Sequence, residues 1–448
     1  MTSAHARRAW IDDRPGQQVF RVRRDVFTDP QVFDLELQEI FGRSWIFVAL
    51  DAQLPNAHDF ITTRVGKASV LVTRHANGSA GAYYNVCPHK GAMLVRLEQG
   101  NRRVHNCAYH GWTFDSTGRN IYIKDHDSIV YPDSFEQESH DLKPLPRVEA
   151  YQGLIFAALT DDVPPLMEWL GEARLFIDLA MQQGPDGMEV VPGRIAYTYA
   201  GNWKLQMDNG MDGYHLTSTH GAFMDVMNRR SAGDGYTAAR QFDWSKRLAQ
   251  QTGNFSFPHG HSVHWMDQAE VEKRPIYPVI GEIRARVGPV KADWMLKGRS
   301  LTLFPNTQIA DQTSLILRTF RPISVDLTEM RVFCIAPKGE SPERRQWRLR
   351  QFEDFFNASG LATPDDTVIY EAVQSGCASD GGEYLQGYYR GMSEQTTEPN
   401  SRAQELGIRP DQNVQGVFKT SFETTLHAQY REWNRLMTPA LARMEKAS

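Results

Sequence analysis

This chain of 448 residues has few cysteines, no long apolar run and no cluster of basic residues. It has only 4 cysteines, too few for a disulfide framework at this length. No stretch approaches about 18 consecutive apolar residues, so we expect no membrane span. The net charge is −5 and there is no basic stripe, so we expect no nucleic-acid partner. The first eight residues lack the apolar core of a signal peptide, and we therefore expect a cytoplasmic protein.

What is present is typical of a large globular enzyme. Hydrophobic residues make up 41% of the chain and charged residues 23%, far from the composition of a disordered protein. From residue 59 to 160, short β-branched runs alternate with turn residues and include the hairpin signal Asn77-Gly78. This pattern predicts a small all-β domain of about a hundred residues.

The dipeptide Pro164-Pro165 marks a domain boundary, after which strands and helices mix. We predict three parts: an N-terminal helical part, 1–50, packing on the catalytic domain; an all-β domain, 51–163; and a catalytic domain, 164–448. Several stretches of the last part have a local prediction. We expect three helices in it: Ser341 to Gly360, Thr363 to about Gln374, and Leu426 to Met437. Cys334 is predicted to lie in a core strand. The stretch 376–415, which includes Cys377, is predicted to be a long surface loop.

Four residues of the all-β part have the spacing C-x-H-x17-C-x2-H: Cys87, His89, Cys107 and His110. A zinc finger would instead place two cysteines together and two histidines together. Two loops that each offer one thiolate and one imidazole suit a binuclear site, with the cysteines on one iron and the histidines on the other. This is the Rieske [2Fe–2S] arrangement. The alternative is a structural zinc site or four unrelated core residues.

Two neighbours of this motif have open interpretations. His105 lies between the two halves, and we interpret it as a surface residue or one that contacts a ligand. Trp112 follows the second half and either shields the cluster or belongs to the core.

A second polar set comprises Asp208, Asp212, His215 and His220. On a helix the first three would share one face, whereas His220 would lie about 140° round from His215. For both histidines to bind one ion, the helix must end there or be distorted, and a π-bulge is one such distortion. Two histidines and one carboxylate would bind Fe(II) and leave positions open for O2 and substrate.

The third ligand must then come from elsewhere in the chain. Asp365 and Asp366 follow Thr363-Pro364 at the start of a predicted helix. Acidic residues in a first helical turn also stabilise the helix dipole without a metal, so the residues alone leave both readings open. Three further histidines lie in a Pro- and Gly-rich segment that we interpret as a solvated loop: His259, His261 and His264.

The chain resembles the large (α) subunits of Rieske-type aromatic ring-hydroxylating dioxygenases over essentially its whole length. The stretches that carry the resemblance are the two Cys/His loops, Asn202-Trp203-Lys204, Asp212-x2-His215-x4-His220 and Pro364-Asp365-Asp366. Residues 209–215, 362–367 and 427–433 look most like the benzoate and aromatic-carboxylate branch. The resemblance implies an α+β fold, with an all-β Rieske [2Fe–2S] domain and a catalytic domain whose antiparallel sheet is covered by helices.

The resemblance also implies roles for two aspartates. The second Asp of the pair is the family's third iron ligand, which here is Asp366. Asp212 occupies the position that links an iron-ligand histidine to a Rieske histidine of the neighbouring subunit. The branch typically has a small β subunit in an α3β3 assembly, an α3 assembly being the alternative. A separate reductase carrying FAD and fed by NADH supplies electrons, in some systems through a ferredoxin.

The implied function is that of a terminal oxygenase. It uses O2 and electrons from NAD(P)H to cis-dihydroxylate the aromatic ring of its substrate, which is implied to be an aromatic carboxylate. The alternatives are a Rieske monooxygenase or demethylase, an electron-transfer Rieske protein, and a zinc-stabilised binding module. A carboxylate substrate needs a cation in the pocket. Arg318 is our candidate and Arg321 the second, with Met211 as a further candidate substrate contact.

Overall fold

The computed structural model describes residues 9–128, 130–193, 195–232, 246 and 249–447. The first eight residues, in which we predicted no signal peptide, lie outside this part of the chain. Its strands are β1 Ile11–Arg14, β2 Val19–Arg23, β3 Ile46–Leu50, β4 Asp59–Val65, β5 Ala68–Arg74, β6 Ala80–Tyr84, β7 Gln99–Asn101, β8 Val104–Asn106, β9 Thr113–Asp115, β10 Asn120–Tyr122, β11 Arg147–Tyr151, β12 Leu154–Ala158, β13 Met188–Val190, β14 Ile195–Tyr199, β15 Gln251–Ser256, β16 Ser262–Met266, β17 Gly298–Leu303, β18 Thr307–Asp311, β19 Leu315–Ser324, β20 Leu327–Pro337, β21 Tyr384–Leu385 and β22 Gln412–Val417.

The α-helices of the described residues are α1 Asp25–Thr28, α2 Pro30–Glu39, α3 Asp133–Glu136, α4 Leu166–Leu170, α5 Arg174–Met181, α6 Trp203–Asn209, α7 Leu216–Thr219, α8 Gly221–Ala232, α9 Ile280–Val287, α10 Pro289–Met295, α11 Pro342–Phe355, α12 Thr363–Ala378, α13 Ser401–Leu406 and α14 His427–Ala447. The chain forms two compact units. The small unit is Leu37–Leu166, and the large unit combines Met1–Glu36 with Met167–Ser448.

The small unit is built from antiparallel strands. One sheet has the order β6-β5-β4-β7, a second β10-β9-β8 and a third β11-β12-β3. Strands β5 and β6 pair antiparallel on either side of Asn77-Gly78, and Gly78 has a φ of +87° as the tight turn requires. Residues 46–50 pair with β12 as β3 of this unit, although we predicted them in the N-terminal part.

The large unit is organised around a nine-stranded antiparallel sheet. Its order is β13-β20-β19-β18-β17-β16-β15-β22, and β14 also pairs with β20. The central strands β17 and β18 are buried along their whole length. Side chains alternate between the two faces of a strand, so residues of equal parity on the paired central strands share a face. That shared face carries the cavity described below.

We predicted a mainly helical N-terminal segment, and this prediction is wrong. It begins with the hairpin β1-β2, and β2 also pairs with β21. Helix α2 follows and contributes Glu36, which is fully buried. The predicted helix after Ser341 is confirmed, since the Ser341 side chain accepts a hydrogen bond from Arg344 N at its start.

The predicted surface loop over 376–415 is wrong in several places. Helix α12 continues past Gln374 to Ala378, so Cys377 lies in a helix and is buried. The same stretch contains α13 and the first residues of β22, an edge strand of the large sheet. Cys334, by contrast, lies buried in β20 as predicted. Among the described residues, no helix has the length and apolar character needed to cross a membrane.

Candidate metal centres and substrate cavity

The segment that carries the two catalytic-domain histidines is not one continuous helix. Helix α6 ends at Asn209, the chain turns through 210–215, and the short helix α7 ends at Thr219, directly before His220. Of the two geometries that the spacing left open, the structure has the interrupted helix rather than a π-bulge. The interruption turns His215 and His220 toward each other, with their Nε2 atoms 3.2 Å apart.

Asp366 lies in the first turn of α12 and completes a group of three. The ligand atoms of His215, His220 and Asp366 all lie within 4.8 Å of one another. Asp366 Oδ1 is 3.1 Å from His220 Nε2 and 3.5 Å from His215 Nε2. The same oxygen accepts a hydrogen bond of 3.1 Å from the Asn209 side-chain amide.

Each histidine has a second carboxylate at its other ring nitrogen. Asp212 Oδ2 lies 3.2 Å from His215 Nδ1, and Asp365 Oδ2 lies 3.5 Å from His220 Nδ1. Burial raises the pKa of Asp212, but the His215 imidazole outweighs this effect and the pKa lies below its usual value. Burial lowers the pKa of His215, but the carboxylate of Asp212 outweighs it and the pKa is raised. Such outer carboxylates fix the orientation of metal-binding imidazoles.

Asp208 does not share a face with this group, because the helix ends before Asp212. Its Oδ2 accepts hydrogen bonds from the hydroxyls of Tyr430, at 2.9 Å, and Tyr388, at 3.3 Å. Burial raises the pKa of Asp208 to about 8. Asp208 is therefore part of a buried polar network behind the site.

A buried ion pair anchors the start of α6. Lys204 Nζ donates to Glu36 Oε1 at 2.6 Å, and both side chains are fully buried. The indole nitrogens of Trp203 and Trp433 donate to the same carboxylate at 2.8 and 2.6 Å. The Trp203-Lys204 pair singled out in the sequence thus ties α6 to α2 and α14.

The other end of α6 is held by the amide of Gln308 on β18. Gln308 Nε2 donates to the carbonyl oxygens of Gln206 and Met207, at 3.2 and 3.4 Å. Its Oε1 accepts from Arg318 Nε at 2.8 Å. A Cβ atom at Gly210 would lie 1.8 Å from Gln308 Nε2, so a larger residue at position 210 would displace this amide from its contacts with α6.

The three grouped side chains open onto a cavity between the broken helix, the large sheet and α11. Apolar residues cover much of its wall, and polar ones come from the sheet as well as from the metal-binding segment. The lining residues are Asn209, Gly210, Asp212, Gly213, His215, Leu216, His220, His264, Met266, Ser300, Ala310, Gln312, Arg318, Phe355, Phe356, Thr363 and Asp366.

Of the three predicted substrate contacts, only Arg318 lines the cavity. Arg318 lines it and is half-buried. Arg321 lies three residues further along β19, on the opposite face, and pairs with Glu329 at 2.9 Å. Met211 is buried but does not line the cavity, so we do not carry its substrate role forward.

In the small unit, the two Cys/His loops have matching backbones. In each loop the cysteine carbonyl accepts a 3.0 Å hydrogen bond from the glycine four residues later, Gly91 for Cys87 and Gly111 for Cys107. These glycines have φ values of +73° and +75°, which glycine adopts without steric cost. The repeated turn gives both loops the same shape.

In these loops both cysteines are buried, whereas His89 is exposed and His110 is half-buried. The thiols of Cys87 and Cys107 are free and buried, and burial raises the pKa of Cys87. The rings of His89 and His110 lie edge to face, 4.5 Å apart, on the outer side. His110 Nδ1 is buried and has no hydrogen-bond partner among the described residues, as a nitrogen reserved for a metal would be.

The two neighbours of the motif are both buried. Trp112 stacks on His89, with ring centroids 4.8 Å apart and planes 6° apart, so it is both a core residue and a cover for this histidine. Our interpretation of His105 as a surface residue is wrong. It packs edge-on against Phe60, and burial lowers its pKa to about 4.

Both sets of residues fit the metal groups that the sequence implied. Two imidazoles and one carboxylate within ligand distance suit a mononuclear iron with open positions. Two buried thiols beside two outward imidazoles suit a [2Fe–2S] cluster of the Rieske type.

Comparison with protein families decides the assignment. A family described as "Ring hydroxylating alpha subunit (catalytic domain)" matches residues 188–438, more than half of the chain, and one described as "Rieske [2Fe-2S] domain" matches residues 44–136. The chain belongs to the ring-hydroxylating alpha-subunit family. It is an enzyme of the Rieske-type dioxygenase class, and its cofactors are a Rieske [2Fe–2S] cluster and a mononuclear iron.

Three relatives of this alpha subunit are similar along most of its length. The toluate 1,2-dioxygenase subunit alpha of Pseudomonas putida is 39% identical, over 97% of this chain and 94% of the relative. The 2-halobenzoate 1,2-dioxygenase large subunit of Burkholderia cepacia is 39% identical, over 89% and 86%. The anthranilate 1,2-dioxygenase large subunit of Acinetobacter baylyi is 38% identical, over 96% and 92%.

The fold of the alpha subunit is that of a solved structure. Naphthalene 1,2-dioxygenase from Rhodococcus sp. bound to indole aligns with a TM-score of 0.79 at 22% identity, covering 93% of this chain and 94% of that one. The predicted α+β class, with a Rieske domain and a catalytic domain, is confirmed. The alternatives of a bare electron-transfer protein and a zinc-stabilised module are wrong, because the catalytic-domain match covers residues that neither would need.

Sequence reasoning missed several residues of the alpha subunit's cavity. His264 was assigned to a solvated loop, but it lies on β16 and lines the cavity. His261 of the same group is fully buried, and its Nε2 lies 3.0 Å from the Trp169 carbonyl oxygen. The alternation Ser262, His264 and Met266 within one strand was the available signal.

Proposed function

We propose that this chain is the terminal oxygenase component that cis-dihydroxylates the ring of an aromatic carboxylate. One observation carries the proposal: His215, His220 and Asp366 open onto the same cavity that Arg318 lines. Toluate, 2-halobenzoate and anthranilate, for which three relatives are named, are all aromatic carboxylates. A guanidinium in an otherwise largely apolar pocket is a natural partner for that group.

We assign the metal-holding roles residue by residue. His215, His220 and Asp366 would hold the mononuclear iron, which when bound supplies the chemistry that activates O2. In the small unit, Cys87 and Cys107 would hold one iron of the cluster, and His89 and His110 would hold the other. The domain bounds 51–163 and 164–448 remain our proposal for the parts that carry these sites.

The remaining residues of the cavity position the reactants. Asp212 and Asp365 hold the two imidazoles in orientation by their proximity to the outer ring nitrogens. Arg318 binds the carboxylate and so sets which ring edge faces the metal-binding group. Phe355 and other apolar side chains of the wall exclude water from the ring.

We also propose an assembly. In it Asp212 contacts His110 of the partner subunit, a small β subunit completes an α3β3 complex, and a reductase with FAD, fed by NADH, supplies electrons directly or through a ferredoxin. Two inactive variants, His110→Ala and Asp212→Ala, are co-assembled to test it. Activity that returns only in the mixture supports electron transfer across subunits, and a mixture as inactive as both parents contradicts it.

The function itself is tested with the metal-loaded protein and a reconstituted reductase. Benzoates and neutral arenes are supplied, O2 uptake is followed, and product mass is measured. We expect a product that has gained two oxygens and two hydrogens. A gain of one oxygen, or loss of a methyl group, would instead identify a monooxygenase or demethylase.

A matched pair of variants tests the role of Arg318. Arg318→Leu should raise KM for benzoates by about 10-fold or more, because an ionic hydrogen bond is lost, and leave neutral arenes within a small factor. Arg321→Leu, on the opposite face of the same strand, is the control and should alter neither. An equal effect of Arg318→Leu on both substrate classes would contradict the assignment.

A further inference from the structure

The sheet face that carries the cavity is polar, although it is buried. On strands β15, β16 and β17 the other face carries buried apolar side chains: Phe255, Val263 and Leu301. The cavity face carries buried polar ones at the neighbouring positions: Asn254, Ser256, Ser262, Ser300 and Thr302. Burying a polar group costs free energy unless it is hydrogen-bonded, so stability alone does not explain a polar face.

The sheet register brings part of this polar face next to the cavity wall. Asn254 on β15 is directly opposite His264 on β16, which lines the cavity, and Ser256 is opposite Ser262. Directly opposite residues of an antiparallel pair have Cβ atoms about 5 Å apart on the same face. Asn254 therefore lies one strand behind the cavity wall.

The C-terminal part of the chain covers this region. The 3-10 turn Glu423–Leu426 packs on β15 and β16, and α14 follows it directly. The Gln429 side-chain amide of α14 donates to Ser262 Oγ at 2.9 Å, and both side chains are fully buried. Thr424 of the turn is fully buried as well. Five buried residues of this region form what we call the polar cluster: Asn254, Ser256, Ser262, Thr424 and Gln429.

The polar cluster has more hydrogen-bonding atoms than partners. Both side-chain amide atoms of Asn254 are buried and have no hydrogen-bond partner among the described residues. The same holds for three oxygens of the cluster: Ser256 Oγ, Thr424 Oγ1 and Gln429 Oε1. Buried polar atoms in proteins nearly always have a partner, and ordered water is the partner where the protein supplies none. The polar cluster therefore has the chemistry of a buried water-binding site.

The reaction in the cavity consumes protons that come from solvent. In the dihydroxylation proposed above, the ring, one O2, two electrons and two protons give the diol. A monooxygenation would use the same two electrons and two protons to give one hydroxyl group and one water. The electrons arrive through the Rieske cluster, whereas much of the cavity wall is apolar. Either reaction therefore needs a polar path for protons.

The outer end of such a path lies at the edge of the large sheet. Ser256 is directly opposite Gln412 on the edge strand β22, and Gln412 is half-buried. Asp411, the preceding residue, is exposed, and its N–H donates to the Ser256 carbonyl oxygen at 2.8 Å. Polar side chains thus extend from the sheet edge, through Ser256 and Asn254, to His264 in the cavity wall.

We propose that the polar cluster binds a group of water molecules that passes protons from the β22 edge to the cavity. Each water and hydroxyl of such a group accepts one proton and gives up another, so the protons move without displacement of the side chains. Asn254 and Ser256 are positioning residues, because they hold the waters and do not touch the substrate. This role rests on the oxygenase chemistry assigned above and holds for a diol or a single hydroxyl as the product.

A high-resolution crystal structure of the protein tests the water site. We expect ordered water within about 3.2 Å of the Asn254 amide atoms and of Ser256 Oγ. Asn254→Leu, which has a similar volume and no polar side-chain atom, should lose these waters. A wild-type structure in which Asn254 bonds only to protein atoms would overturn the proposal.

Turnover of the metal-loaded enzyme in H2O and in D2O tests the role of the waters. Asn254→Leu should lower kcat by about 10-fold and leave KM within about 2-fold, because proton delivery slows while substrate binding is unchanged. Its solvent isotope effect on kcat should exceed that of the wild type, since proton transfer then limits the rate. Asn254→Ser keeps a polar group and leaves room for a further water, so it should recover most of the rate.

Val414→Ala is the matched control. Val414 is buried on β22 directly opposite Asn254, so its truncation should lower the urea midpoint and leave the solvent isotope effect at the wild-type value. If Asn254→Leu lowers kcat without changing the isotope effect, the polar cluster only supports the fold and the proposal is wrong.

Failure of the proposed function gives a different result. If the wild type oxidises no arene, that function falls alone, because the reduction of O2 to hydrogen peroxide by the reduced enzyme also takes up two electrons and two protons. Asn254→Leu should slow this reduction with the same rise in isotope effect. An unchanged rate of peroxide formation in the variant would overturn the proton path.

Discussion

Replacing Lys204 by Met would remove one half of the buried ion pair that anchors α6. The Glu36 carboxylate would keep only the two indole donors, Trp203 and Trp433, in a site from which water is excluded. Breaking a buried pair by removing one partner typically costs about 3–5 kcal/mol, because the remaining charge is uncompensated. We expect Lys204→Met to lose stability in this range.

A second variant separates the charge from the loss of contacts. In the double variant Glu36→Gln with Lys204→Met the charge is gone. The Gln carbonyl oxygen still accepts from one of the two indoles, which donate to different oxygens of the Glu36 carboxylate. We expect it to recover most of the loss and to remain within about 1–2 kcal/mol of the wild type, the cost of imperfect hydrogen bonds.

Urea unfolding followed by tryptophan fluorescence measures both effects as shifts of the midpoint. Arg284→Met is the control. It removes an exposed ion pair with Asp293 in the same unit and should change stability by less than about 1 kcal/mol. A double variant no more stable than Lys204→Met would refute the reasoning, because the buried charge would then not be the source of the loss.

Three further predictions concern the site. Asp366→Ala should lose the mononuclear iron and keep the red-brown cluster. Asp365→Ala should keep both metal groups and bind the mononuclear iron about 10–100-fold more weakly. Iron analysis that finds an equal loss in the two variants would contradict the assignment of Asp366 as the ligand. Burial raises the pKa of Asp208 from 3.8 to about 8. Between these two pH values the Asp208 carboxyl is protonated in the folded state and ionised in the unfolded state. The free energy of unfolding therefore falls as pH rises through this window, by up to about 1.4 kcal/mol per pH unit. Asp208→Asn should flatten that slope in urea midpoints measured from pH 5 to 8, and an unchanged slope would refute it. Gln308→Leu should raise KM for benzoates, because Arg318 loses the partner of its Nε, and should also lower kcat, because the end of α6 loses its anchor. Steady-state kinetics in which kcat alone changes would refute the link to Arg318.

Local sequence patterns were sufficient for the cluster motif of the small unit, although not for the bounds of the unit or for His105. The spacing of Cys87, His89, Cys107 and His110 lies within two short loops, and the glycine that closes each loop is part of the same motif. A motif whose members are near one another in the chain carries its geometry with it. The cluster site could therefore be predicted without knowledge of the surrounding sheet.

The catalytic cavity depended on pairings that no local pattern contains. His215 and His220 were found from their spacing, which also required the helix to end or be distorted but did not decide between the two. Gly210, at the end of α6, lies against Gln308 about a hundred residues away, a contact that no local pattern contains. His264 was misplaced for a similar reason. Its neighbours on the cavity face, Ser300 and Ala310, come from later strands, and only the sheet register brings them together.

The amide of Gln308 has a consequence for anyone who redesigns this enzyme. One side chain serves both the end of α6 and the substrate-facing Arg318, so the charge of the pocket and the shape of the metal-binding segment are not independent design variables. A variant that exchanges Arg318 for an apolar residue leaves the amide oxygen with the Gln206 side chain as its remaining partner. Libraries aimed at neutral arenes should therefore randomise positions 308 and 318 together, with Gly210 held fixed.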